Sequence, residues 1–180
     1  VRTIQLAGYD VYYEEKSPQT RQRFIKNLRK ACDWAEEAQV VLAIEIMDDP
    51  FINSIEKYLA VEKDVDSPYL FVYPDIGNVS AWHNDVYSEF YLGHHAITAL
   101  HLKDTYAVTE SSKGQFRDVP FGQGCVKWEE AFDILKQTNY NGPFLIEMWS
   151  ENCETVEETR AAIQEAQAFL YPLIKKAGLM

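Results

Sequence analysis

Four residues in this chain stand at the ends of apolar runs, and each can ligate a cation. Glu45 closes VVLAIE, Asp75 closes YLFVYPD, His101 closes ITALH and Glu147 closes GPFLIE. Burying a carboxylate is costly unless it is paired or bound to a cation. Three carboxylates brought to one spot repel one another, and a divalent cation relieves that repulsion. Three oxygen donors and one imidazole suit Mn²⁺, Mg²⁺ or Co²⁺ in an octahedral shell, and Zn²⁺ is also admitted. The expected cofactor is therefore one divalent metal ion held by Glu45, Asp75, His101 and Glu147. Taken singly, a Glu at a strand end is an ordinary ion-pair partner, and a His there is an ordinary hydrogen-bonded core residue. Repetition on four successive strands is what argues for a shared site.

Further residues are candidates for contacting a substrate. Asn78 lies three positions after Asp75 and could reach the same pocket; otherwise it is a turn residue. Arg117 precedes VPFGQG, where Gly122 and Gly124 would let the backbone approach an anion that Arg117 clamps. The plain alternative is a solvated surface loop. Asp104, in HLKD, could orient a ligand from behind. His83, His94 and His95 read as surface residues, and Trp82, Trp128 and Trp149 as core.

The elements that must position these residues alternate in type. Thr3–Ala7 reads as a strand. Ser17 and Pro18 then open a helix to about position 39, with Phe24, Leu28, Ala31, Ala35 and Ala38 on one stripe. Residues 40–46 form a run with no alternation, as in a parallel sheet buried on both faces. A helix over 53–63, a strand over 69–73, a helix over 84–93 and a strand over 97–102 follow. Residues 103–125 read as a long loop, of the kind that is usually functional. A helix over 127–139, a strand over 144–148 and a final helix to about 177 complete the chain. Thr155 and Glu158 form a capping box for that last helix.

Five strand–helix units in strict alternation predict an α/β fold with a parallel sheet and right-handed crossovers. Both a small doubly wound sheet and the last five units of a (β/α)8 TIM barrel satisfy this count. No glycine-rich phosphate loop follows any strand, which disfavours a nucleotide-binding sheet.

Bulk properties narrow the function classes. The 180 residues carry a net charge of −11, which opposes nucleic acid and anionic membrane surfaces. No apolar run approaches the roughly 18 residues of a membrane span. Three scattered cysteines, Cys32, Cys125 and Cys153, form neither a disulfide framework nor a CxxC site and suit a reducing compartment, so a cytoplasmic location is expected.

The segments LAIEIMD, YPDIGN, ALHLKD, RDVPFGQG and FLIEMW, in this order, resemble the xylose-isomerase-like barrel superfamily. More closely, the whole chain resembles the L-ribulose-5-phosphate (L-xylulose-5-phosphate) 3-epimerases of bacterial L-ascorbate and pentose catabolism. The resemblance implies a (β/α)8 TIM barrel. It also implies a metal held by Glu45, Asp75, His101 and Glu147, with the two glutamates as the acid/base pair and Arg117 on the substrate. The family often has His where this chain has Asn78. The implied reaction inverts C3 of a ketopentose 5-phosphate through an ene-diolate. The alternatives are aldose–ketose isomerisation on the same site, or an inactive half-barrel. The expected partners are a small sugar phosphate and further copies of the chain. At about 36 residues per unit, eight units would need about 290 residues, so about three units are expected to precede Val1.

Overall fold

The computed structural model describes residues 2–180. The strand–helix alternation is present. Strand β1 (Thr3–Ala7) leads to helix α1 (Pro18–Ala38), β2 (Val41–Glu45), α2 (Ile55–Val65) and β3 (Leu70–Tyr73). Two helices, α3 (Ile76–Ala81) and α4 (Val86–Gly93), precede β4 (Leu100–Leu102). Strands β5 (Asp104–Tyr106) and β6 (Gln115–Val119) then form a hairpin. Helix α5 (Trp128–Gln137), β7 (Phe144–Ile146) and α6 (Val156–Ala177) end the chain.

Local chemistry explains the helix starts. The Ser17 side chain accepts the Thr20 N–H, with Pro18 at the first helical position, and Thr155 and Glu158 form the expected capping box on α6.

Strands β1, β2 and β3 pair in parallel in that order, as do β4 and β7. Parallel bridges from Val72 to Ile97 and from Asp75 to His101 join β3 to β4. The result is an arc of five parallel strands in the order β1-β2-β3-β4-β7. Its two faces are filled differently. Leu42, Ile44, Leu70, Val72, Leu100 and Leu102 point outward into the main core, against the helices. Ala43, Tyr73 and Ala99, with Phe71, form a separate cluster on the inner face. Small and aromatic residues alternate there because the strands converge, as inside a barrel.

Among the described residues, nothing pairs with the outer edges of β1 and β7. Leu145 stands in register with His101 on the inner face, yet it is 52 % exposed because the arc is open beside it. The chain therefore covers part of a barrel.

Two expectations need correction. The helix expected over 84–93 is preceded by a separate helix, α3, which starts immediately after Asp75. That residue is its N-cap, accepting the Asn78 N–H at 2.8 Å on Oδ1. The segment expected as a loop over 103–125 contains the β5–β6 hairpin, whose exposed polar residues hid its strand character.

Candidate metal centre

Each of the four strand-end residues is delivered by the parallel arc to its C-terminal edge. Glu45 is the last residue of β2, Asp75 follows β3, His101 is central in β4 and Glu147 follows β7. One ligand atom from each of the four lies within 4.8 Å of those of the others. His101 Nδ1 is 2.8 Å from Glu45 Oε1, 3.0 Å from Glu147 Oε2 and 3.8 Å from Asp75 Oδ2. The Tyr73 ring packs on the imidazole with centroids 4.6 Å apart.

The three carboxylates share one arrangement. Each has one oxygen held from outside and the other turned to the centre. The Gln5 side-chain amide donates to Glu45 Oε2 at 2.6 Å, leaving Oε1 inward. The Asn78 N–H holds Asp75 Oδ1, leaving Oδ2 inward. Lys103 Nζ and Trp149 Nε1 donate to Glu147 Oε1 at 3.1 and 3.2 Å, leaving Oε2 inward. Asp75 Oδ2 and Glu147 Oε2 are buried and lack a hydrogen-bond partner. Buried acceptors are rarely left so, and two inward oxygens beside an imidazole nitrogen fit a bound cation. The four residues could therefore hold a metal ion.

The electrostatics are those of a buried acidic cluster around one imidazole. Burial pushes the Asp75 carboxyl up to about 7; Lys103 opposes the rise and Glu147 adds to it. Burial disfavours the His101 imidazolium, but the carboxylates of Glu147 and Glu45 outweigh it and raise the group to about 9. Burial likewise acts against ionised Glu147, yet His101 and Lys103 hold it well below the usual carboxylate range. A divalent cation held by these side chains would balance the same negative charge.

Sequence reasoning missed Lys103. Its ammonium is buried, 3.1 Å from Asp75 Oδ2 and 3.1 Å from Glu147 Oε1, although the Asp75 contact is not aligned as a hydrogen bond. Its only signal was position, two residues beyond His101 on the same strand face.

The remaining candidates fall elsewhere. Asn78 is buried beneath the centre; its side-chain amide donates to Ile46 O at 2.9 Å, and its main-chain N–H orients Asp75. Gly122 and Gly124 do not present free N–H groups to an anion. Both donate to Asp104 Oδ2, at 2.8 and 3.1 Å. A Cβ on Gly124 would collide with Asp104, and one on Gly122 with Phe169. The anion that these glycines approach is the protein's own. Asp104 also accepts from Thr105 N, Val126 N and Trp128 Nε1, so it organises the loop and does not orient a ligand. Arg117 lies exposed on β6, 3.8 Å above the Trp149 ring and 3.9 Å from Glu151 Oε1. Trp128 is core, as expected, but Trp149 is 38 % exposed at the rim of the centre. A cavity of about 360 Å³ adjoins Lys103, Glu147 and Trp149.

The fold is a barrel arc whose acidic and imidazole side chains at the C-terminal edge could hold a metal ion. Residues 1–173 match the family described as Xylose isomerase-like TIM barrel, and the chain belongs to it. It is 52 % identical over 180 residues to a Haemophilus influenzae protein provisionally named L-ribulose-5-phosphate 3-epimerase SgbU. It is 47 % identical to L-ribulose-5-phosphate 3-epimerase UlaE of Escherichia coli O157:H7. All of this chain is covered in both alignments, but only 62 % and 60 % of those relatives. The chain thus spans about three fifths of their length. A solved L-ribulose 3-epimerase superposes with a TM-score of 0.77 at 19 % identity, over 98 % of this chain and 62 % of that one, a likeness of fold.

Proposed function

We propose that this chain is the metal-binding and catalytic part of a sugar-phosphate 3-epimerase, inverting C3 of L-ribulose 5-phosphate or L-xylulose 5-phosphate. The observation that carries the reading is the convergence of Glu45, Asp75, His101 and Glu147, each carboxylate with one oxygen turned to the centre. The names and identities of the relatives support the choice of substrate.

The chemistry follows from the residues. Epimerisation beside a ketone removes a carbon-bound proton and returns one to the other face. Glu45 and Glu147 approach the centre from different strands, so one carboxylate takes the C3 proton and the other delivers its replacement. A divalent ion, Mn²⁺, Mg²⁺, Co²⁺ or Zn²⁺, would stabilise the negative charge that develops on the oxygens of the ene-diolate. Asp75 and His101 would hold that ion without joining the proton transfer. Arg117, exposed at the rim, would meet the substrate's own negative charge.

The five units described here form one domain, the C-terminal portion of a barrel. Further β/α units would close the gap between β1 and β7 and complete the substrate pocket. A sugar-phosphate substrate agrees with a cytoplasmic enzyme; no helix among the described residues is long and apolar enough to cross a membrane. Proton NMR in D₂O with L-ribulose 5-phosphate and Mn²⁺ tests the activity. Deuterium should enter at C3. Exchange confined to C1 or C2 would mean an aldose–ketose isomerase, and no exchange by metal-loaded protein supplied with the remaining barrel units would overturn the assignment.

A further inference from the structure

Glu147 is held differently from the other two carboxylates. Its outward oxygen takes two donors, one from buried Lys103 and one from Trp149, which lies at the rim. The indole is too exposed to be serving as core, and its Nε1–H has Glu147 as its partner. The face of the same ring is covered by the Arg117 guanidinium from β6, itself drawn toward Glu151 on the loop that carries Trp149. A ring stacked on one face and bonded at its edge has a fixed plane. That plane, bonded to the outward oxygen, fixes the tilt of the Glu147 carboxylate.

We propose that Trp149 is a positioning residue for Glu147: its indole N–H holds Oε1 so that Oε2 is presented to the cation, and Arg117 clamps the ring that does so. The inference rests on the metal-centre reading and adds to it a mechanical link between the β5–β6 hairpin and a ligand. Without the N–H, the outward oxygen keeps Lys103 as its one donor, and the carboxylate plane is free to tilt away from the centre. Outer partners of this kind typically contribute about 10–100-fold to metal affinity.

Trp149→Phe keeps a ring for Arg117 and removes only the donor. Titration of the metal-free protein with Mn²⁺ by calorimetry should give an affinity about 10-fold or more weaker than wild type, with the metal-free unfolding midpoint unchanged. Trp149→Leu, which removes donor and ring together, should bind no more tightly than the Phe variant. Paramagnetic Mn²⁺ should quench a component of tryptophan emission in wild type that is absent from Trp149→Phe at saturating metal. Wild-type affinity in the Phe variant overturns the inference while leaving the metal centre intact. Absence of Mn²⁺ binding in wild type overturns the metal centre and the inference with it.

Discussion

The Lys103 ammonium lies 3.1 Å from Glu147 Oε1, so a cation is already built into the acidic centre before any metal arrives. Removing one partner of a buried ion pair leaves an uncompensated charge and typically costs about 3–5 kcal/mol. Lys103→Met should lower the stability of the metal-free protein by about that amount. A divalent ion would then relieve the exposed repulsion. The rise in unfolding midpoint on adding Mn²⁺ should be larger in Lys103→Met than in wild type. An equal or smaller rise would mean that Lys103 does not balance this charge.

Metal removal should itself be visible in stability. A ligand at about 100 times its dissociation constant stabilises by about 2.7 kcal/mol. For a chain of this size that corresponds to a midpoint shift of about 5–10 °C. Calorimetric scans with Mn²⁺ and with a chelator check this, and coincident scans would count against a bound ion.

Glu45→Gln and Glu147→Gln should each lower proton exchange at C3 by about 100-fold or more, because an amide cannot accept the proton. Deuterium incorporation followed by NMR measures it. Exchange near the wild-type rate in either variant would remove that residue from the acid/base pair.

Asp104 is predicted to matter for the loop rather than for the chemistry. Its two oxygens accept five N–H groups, from Thr105, Gly122, Gly124, Val126 and Trp128. Asp104→Asn replaces one acceptor oxygen by a donor that faces N–H groups. Hydrogen bonds to a charged group contribute about 1.5–3 kcal/mol, so a loss of about 3 kcal/mol is expected. Chemical denaturation measures it. The Mn²⁺ affinity of the folded variant should stay within a few-fold of wild type.

The open edges of β1 and β7 predict association. An unpaired parallel edge beside an exposed inner face is a template for a further strand. Sedimentation should find this chain self-associated, or monomeric once the remaining barrel units are supplied. A stable monomer of this chain alone would show that its edges are protected in some other way.

The sheet and the four strand-end residues were legible in the sequence for a physical reason. A parallel strand buried on both faces is an apolar run, and a charge that ends the run marks the edge where ligands gather. The same logic fails for Lys103, because lysine in a sequence ordinarily signals solvent and its partners lie on other strands. Strand β6 reads QFRDV, too polar to stand out from a loop. Helix α3 is short, and its N-cap, Asp75, is also the charge that ends the β3 run, so nothing else marks its start. Gly122 and Gly124 did mark a close approach to an anion, but spacing alone does not distinguish a substrate's charge from that of Asp104.

The double use of Asp75 explains why this member of the cluster is an aspartate between two glutamates. Its Oδ1 must reach back to a main-chain N–H three residues on, while Oδ2 faces the centre. Only a carboxylate one methylene from the backbone spans both tasks; a longer arm would overshoot the turn it has to close. The interchange of Asp and Glu, the mildest substitution in most acidic clusters, is therefore forbidden here by side-chain length. Glu45 and Glu147 cap no helix and have no such limit on their reach. Of the three acidic positions, this one has the narrowest set of tolerated residues.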